Sequence, residues 1–108
     1  MMDLKDIANG VVQYLETLPD GMEISTSEAI EQVYGGEYFP GGEYFPGGDY
    51  RIGATILGFN ELSTIDALIR RVSARKGISL DCAYDENAPT GLPFNIPFTV
   101  HRKHHNKQ

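Results

Sequence analysis

The sequence is poor in cysteine, in long apolar runs and in positive charge, and each shortage excludes a class of protein. Cys82 is the only cysteine among 108 residues, so an internal disulfide is impossible and a reducing, intracellular setting is expected. No apolar run approaches the ~18 residues of a membrane-spanning helix, and no N-terminal signal pattern is present. We expect a cytoplasmic protein with no membrane partner, folded as one domain over residues 1–108.

Bases are scarce and unevenly placed. The formal net charge of -6 argues against general polyanion binding, because phosphate contacts supply most of the non-specific affinity for nucleic acid. Residues 1–50 hold ten acids and one base, whereas residues 51–108 hold eight bases and five acids. Apart from Arg51, the later bases form two groups: Arg70, Arg71, Arg75 and Lys76 in one, Arg102, Lys103 and Lys107 in the other. Such asymmetry marks either a binding face or an ordinary solvated surface.

Apolar periodicity predicts two helices in the first third of the chain. The first covers residues 3–18, capped by Asp3. Its apolar positions are Leu4, Ile7, Val11, Tyr14, Leu15 and Leu18. The second begins at Ser25, which stands three residues before Glu28 in capping-box spacing, and ends at Tyr34 before two glycines. A short edge strand over residues 22–25 is predicted between them.

A third helix is predicted over residues 62–77, and the fold should be organised around it. Ile65, Leu68, Ile69 and Val72 recur at helical spacing. Ser63 is the expected N-cap, with Asp66 in the capping-box position, and Gly77 the expected stop. Arg70 and Arg71 should project away from the apolar stripe, on an outer face shared with the small residues Ala67 and Ala74.

Residues 35–50 contain G-G-E-Y-F-P twice, followed by G-G-D-Y. We interpret them as a Gly/aromatic loop insertion produced by tandem duplication, since long loops cost little closure entropy. Alternatively, Pro-Gly-Gly turns one E-Y-F copy back onto the other as a small hairpin. The aromatic residues Tyr38, Phe39, Tyr44 and Phe45 would then dock a partner. Neighbouring acids favour a protein over a nucleic acid as that partner.

The remaining segments flank the third helix. Residues 51–61 fit either a helix or a strand, with Ile56, Leu57 and Phe59 expected in the core. Alternating apolar residues predict two strands, 78–84 and 94–100, joined as a hairpin. Pro97 cannot donate to a strand ladder, so the last strand should be an edge or carry a bulge. Residues 101–108 should form a flexible basic tail.

Chemistry that would indicate an enzyme is nearly absent from the sequence. Cys82 lies on the inward side of a predicted strand, as a structural thiol does. His101, His104 and His105 are confined to the tail and lack a second group of metal ligands. The spacing of Gly36 and Gly41 imitates a phosphate loop without its Lys-Ser/Thr pair. We expect no enzyme, no cofactor and no metal, and therefore a binding function.

The element order resembles that of the winged-helix superfamily. The segments L-P-D-G-M-E-I-S-T-S-E-A-I (18–30) and G-L-P-F-N-I-P-F-T-V (91–100) are also similar to small uncharacterised bacterial or phage-type domains of that shape. The resemblance implies an α+β, winged-helix-like fold with three main helices, a short N-terminal strand and a C-terminal β-hairpin as the wing. The third helix would read DNA, with these residues at the nucleic acid: Ser63, Thr64, Ala67, Arg70, Arg71, Ala74 and Arg75.

Two functions follow as hypotheses. The first is a nucleic-acid-binding or regulatory module that uses the third helix. The second is a protein-interaction or self-association module that uses the acidic, aromatic segment 35–50. The oligomeric state is left open, with a dimer among the options.

Overall fold

The computed structural model describes residues 2–39, 48–82 and 97–102. Within them the chain is α+β, with three helices and two small antiparallel sheets. The elements are α1 (Leu4–Leu15), β1 (Glu23–Ile24), α2 (Thr26–Tyr34), β2 (Glu37–Phe39), β3 (Asp49–Ile52), β4 (Thr55–Leu57), α3 (Phe59–Arg75), β5 (Ile78–Cys82) and β6 (Phe98–Arg102). One sheet has the strand order β1-β6-β5, and the other β2-β3-β4. No helix in these ranges is long and apolar enough to cross a membrane.

The first two helices form where local sequence signals place them. Asp3 caps α1 by accepting from the amide of Lys5 at 3.2 Å. Ser25 caps α2 by accepting from the amide of Glu28 at 3.2 Å. Gly35, at φ +73°, ends α2 in a conformation that favours glycine. These predicted caps and the helix stop are confirmed, although α1 ends at residue 15 and not 18.

The prediction that Ser63 caps α3 was wrong, because the helix begins four residues earlier, at Phe59. Gly58 is the N-cap, and its amide donates to the Glu61 carboxylate at 2.8 Å. This bond satisfies one of the free amide groups at the helix start, so the helix includes Phe59. The ambiguous segment before it is a hairpin, in which β3 and β4 turn at Gly53. At the other end, Gly77 at φ +77° stops the helix as predicted.

The core lies between α1, α2, α3 and the inner faces of both sheets. Buried apolar residues include Ile7, Val11, Leu15, Ile30, Tyr50, Leu57, Leu62, Ile65, Ile69, Phe98 and Val100. Leu57 was predicted in this core, and so were Ile56 and Phe59. The last two predictions were wrong, because Ile56 is 59% exposed and Phe59 48% exposed. Ile56 points to the outer face of its strand, and Phe59 stands at the first turn of α3.

Helices α1 and α3 lie side by side in the same direction. Near their starts the amide of Met2 donates to Thr55 Oγ1 at 3.4 Å. Near their ends Lys76 Nζ and Glu16 Oε1 are 3.1 Å apart. Between these two contacts the apolar stripe of α3 faces the core, with Leu68 and Val72 partly buried against it. The third helix therefore packs on the first.

The last strand is central, which corrects the expectation of an edge strand or a bulge at Pro97. Phe98 pairs with Ile24 on one side and with Cys82 on the other. Pro97 precedes the strand, so its missing amide removes no ladder bond. His101 and Arg102 also belong to β6 and not to a flexible tail. The predicted strand residues 83–84 and 94–96, the loop between them and the tail residues 103–108 lie outside the described residues.

The segment predicted as a surface loop contains two strands. Glu37 pairs with Arg51, and Phe39 pairs with Asp49. The E-Y-F copy at 37–39 therefore pairs with the D-Y-R segment at 49–51, and the predicted pairing with the second copy involves residues outside the description. Tyr50 lies on the inner face, where its hydroxyl donates to the carbonyl of Gly35 at 2.7 Å. Residues 40–47, which include most of the repeat, lie outside the described residues.

Candidate nucleic-acid interface

The outer face of α3 carries most of the residues predicted to meet nucleic acid. Thr64, Ala67, Arg71, Ala74 and Arg75 are exposed, whereas Ser63 and Arg70 are half-buried. The buried positions of the helix, such as Leu62, Ile65 and Ile69, define the opposite side. A helix with one side in the core presents the other to a partner, so five of the seven predicted residues share an accessible face.

Arg70 does not share that face, which corrects the prediction that it projects outward with Arg71. Its Nε donates to Asp66 Oδ2 at 3.1 Å, and its Nη1 donates to the carbonyl of Leu80 at 3.4 Å. The guanidinium also lies 5.7 Å from the centroid of the Phe98 ring. Arg70 is directed toward the β1-β6-β5 sheet, where it connects α3 to β5 and β6.

Asp66 was predicted to support the start of α3, and the structure gives it a different role. Asp66 is 8% exposed, and its carboxylate accepts from the Thr26 hydroxyl at 2.7 Å as well as from Arg70. Thr26 begins α2, so this carboxylate joins α2 to α3. The acid–base spacing of i, i+4 on one helix could have indicated the Asp66–Arg70 pair.

A groove runs between α1 and α3 beside the exposed face. Its volume is about 300 Å³, and it is lined by Lys5, Ala8, Asn9, Leu68, Arg71, Val72 and Arg75. Lys5 and Asn9 form the α1 wall, and Arg71 and Arg75 form the α3 wall. Ala8 is buried, and the partly buried Leu68 and Val72 complete the apolar part of the lining. Three positive charges and one amide thus surround an apolar surface.

The basic residues of this groove differ from the other described cations. Arg51 pairs with Asp49, Arg70 with Asp66 and Lys76 with Glu16. Arg102 donates to the carbonyls of Glu16 and Leu18. The side chains of Lys5, Arg71 and Arg75 have no such bond to another described residue. The cations left without an intramolecular partner in the described ranges all line one groove.

Sequence reasoning missed Lys5 and Asn9 as members of this site. They stand four residues apart, as Arg71 and Arg75 do, so each pair lies on one side of its helix. That spacing is visible in the sequence. The packing of α1 alongside α3, which brings the two pairs together, is not.

Two of the aromatic residues predicted to bind a protein partner, Tyr38 and Phe39, lie on opposite faces of the β2-β3-β4 sheet. Phe39 lies on the outer face, with the Arg51 guanidinium 4.0 Å from its ring centroid. Tyr38 pairs with Tyr50 on the inner face and packs against the core. Tyr44 and Phe45 lie outside the described residues. On the outer face, Phe39 has Arg51 and the exposed Ile56 among its described neighbours.

The described histidine, His101, lies between two carboxylates. His101 Nε2 is 3.4 Å from Asp81 Oδ2, and His101 Nδ1 is 3.8 Å from Asp20 Oδ1. The two carboxylates face different ring nitrogens, so they do not converge on one point. No three His, Cys, Asp or Glu side chains in the described ranges are grouped to hold a metal ion. His104, His105 and the Cys82 side chain lie outside the description.

Comparison of the chain with protein-family models, with curated proteins and with solved structures gives no match.

Proposed function

We propose that this chain is a non-enzymatic nucleic-acid-binding or regulatory module of winged-helix type, which contacts DNA phosphates through Arg71 and Arg75. The observation that carries the proposal is the exposed face of α3. It presents two arginines that have no ion pair with any other described residue, beside small side chains that allow close approach. Phosphate contacts of this kind supply most of the affinity of DNA-binding proteins.

The architecture supports the same proposal. Along the chain, α3 is followed by the antiparallel strands β5 and β6, an order similar to the helix and wing of winged-helix proteins. Arg70 and Asp66 connect α3 to these strands and to α2, so the exposed face has a fixed orientation. Thr64 offers a hydroxyl to base edges or phosphates, and Ala67 and Ala74 leave room for a groove wall.

Fluorescence anisotropy of a labelled DNA duplex at low salt tests this function. Replacing Arg71 and Arg75 together with glutamate should weaken binding at least about tenfold, because two phosphate contacts become repulsive. Arg51→Glu is the matched control, since that arginine lies on β3, away from the exposed face of α3, and pairs with Asp49. Absence of binding by the wild-type chain, or equal binding by the double variant, would refute the proposal.

A second candidate function is protein interaction or self-association through the outer face of the β2-β3-β4 sheet, within and beside the acidic, aromatic segment. The observation in its favour is Ile56, which is 59% exposed on an edge strand. Ile56 pairs with Arg51, whose guanidinium covers Phe39. Edge strands with exposed apolar residues are common sites of pairing with another chain.

Sedimentation velocity distinguishes this second function. If it holds, the wild-type chain forms a concentration-dependent oligomer that Ile56→Lys abolishes. Met22→Lys serves as control, because Met22 is also exposed (42%) but precedes β1 of the other sheet. A wild-type chain that stays monomeric at high concentration and captures no partner through this face would exclude the candidate.

A further inference from the structure

We propose that the groove between α1 and α3 binds a phosphate group through Lys5 and Asn9 on one wall and Arg71 and Arg75 on the other. The inference extends the proposed function, on which it rests for the identity of the ligand as a nucleic-acid backbone phosphate. It adds α1 to an interface that otherwise consists of α3 alone. The shared ligand chemistry is the phosphate oxygen, carried by a nucleic acid or by free phosphate.

The two walls have matching geometry. Lys5 and Asn9 are one helical turn apart on α1, and Arg71 and Arg75 are one turn apart on α3. Residues at i and i+4 lie one above the other on the same side of a helix. Because the two helices run in the same direction, both pairs project along the same groove, and a linear chain of phosphates lying in it meets donors from both sides.

The positive charges of the groove pair with no carboxylate or carbonyl of the described residues. Like charges at i, i+4 destabilise a helix, and Arg71 and Arg75 are such a pair. Lys5 is the only base among residues 1–50, a segment with ten acids, and the fold places it opposite these arginines. Elsewhere in the described ranges the fold joins each cation to a carboxylate or a carbonyl. An anion bound between the walls would supply the missing negative charge.

The four side chains suit a phosphate. Arginine presents a fork of N–H donors that matches two phosphate oxygens, and lysine supplies a compact positive charge. The Asn9 amide adds N–H donors without charge. Ala8, Leu68 and Val72 give the groove an apolar lining, which excludes water from one side of the ligand and strengthens its attraction to the cations. A sugar can lie against the same apolar surface.

Nuclear magnetic resonance of the full chain tests the site with two probes, inorganic phosphate and a short DNA duplex. Both should shift the amide resonances around Lys5, Asn9, Arg71 and Arg75. Lys5→Gln should weaken duplex binding about three- to tenfold and remove the phosphate response near residue 5. Lys76→Gln is the matched control, since Lys76 is a cation at the end of the same helix pair but is bonded to Glu16.

The outcomes separate the two proposals. If the duplex shifts α3 but not Lys5 and Asn9, and Lys5→Gln binds it like the wild type, α1 takes no part in phosphate binding, so this proposal fails and the proposed function stands. If inorganic phosphate shifts the groove but the duplex does not bind, the phosphate site stands and the proposed function falls. Both variants should fold, because Lys5 and Lys76 are exposed. Well-dispersed amide resonances check that they do.

Discussion

Arg70 donates from Nε to the carboxylate of Asp66, one turn earlier on α3, at 3.1 Å. This contact turns one of two adjacent arginines inward and leaves the other outward. Arg70 connects α3 to the strands that follow it, whereas Arg71 belongs to the groove. Arg70 therefore contributes to the stability of the fold, and Arg71 is available for the proposed function.

Asp66→Ala should lower the free energy of unfolding by about 1–3 kcal/mol, because it leaves the Thr26 hydroxyl and part of the Arg70 guanidinium without an acceptor. Urea unfolding followed by circular dichroism measures the change. Glu23→Ala, an exposed carboxylate on β1, should alter stability by less than about 0.5 kcal/mol. Equal stability of the two variants would show that the Asp66 contacts contribute nothing.

Gly36→Ala should destabilise the chain more than Gly35→Ala. Both glycines have positive φ angles, +95° and +73°, so either alanine costs roughly 1–3 kcal/mol of backbone strain. A Cβ at Gly36 would also stand 2.6 Å from the backbone oxygen of Arg51, whereas one at Gly35 meets nothing within 4 Å. Thermal unfolding should show the lower midpoint for Gly36→Ala, and similar midpoints would contradict the close approach of Gly36 to β3.

Stability should fall as the pH rises above about 10. Burial, and next the negative charge of Glu31, raise the pKa of Tyr50 from 10.0 to about 12. The unfolded chain therefore loses this proton at lower pH than the folded chain, and ionisation favours unfolding between these values. Burial and Asp6 raise the pKa of Tyr34 in the same direction.

The Tyr50→Phe variant isolates the contribution of Tyr50. Its free energy of unfolding should decline less than that of the wild type across this alkaline range, although it is less stable at neutral pH for want of the bond to Gly35. Urea titrations from about pH 9 to about pH 12 measure both curves. Parallel curves would show that Tyr50 ionises alike in the folded and unfolded states.

Ser73→Ala should stabilise the chain by about 0.5–2 kcal/mol. The Ser73 side chain is fully buried in α3, and its hydroxyl has no hydrogen bond to a described residue. Alanine removes that unsatisfied group and favours the helix. Ser25→Ala makes the matched comparison, because it removes the N-cap bond of α2 and should cost about 1 kcal/mol. A destabilised Ser73→Ala would mean that the hydroxyl is bonded.

The sequence predicted those elements whose signals are local. The caps at Asp3 and Ser25, the stop at Gly77 and the strand that begins at Ile78 depend on residues within a few positions of one another. The start of α3 was missed because glycine has no side chain that marks an N-cap, and residues 51–61 fit a helix and a strand alike.

Long-range contacts account for the other differences. The inward turn of Arg70 requires Leu80 and, through Asp66, a hydroxyl on α2 forty positions earlier along the chain. The central position of β6 requires β1 from the far end of the chain. Lys5 joins Arg71 and Arg75 only when α1 packs on α3. None of these relationships has a period or a motif that a single sequence displays.

The salt dependence of DNA binding tests the central claim most directly, which is that Arg71 and Arg75 contact phosphates and Arg70 does not. The logarithm of the binding constant should fall linearly with the logarithm of salt concentration, by about 0.9 per neutralised phosphate. Arg71→Gln and Arg75→Gln should each reduce that slope by about one, and Arg70→Gln should leave it unchanged. No binding at low salt, or an equal loss of slope in Arg70→Gln, would contradict the account.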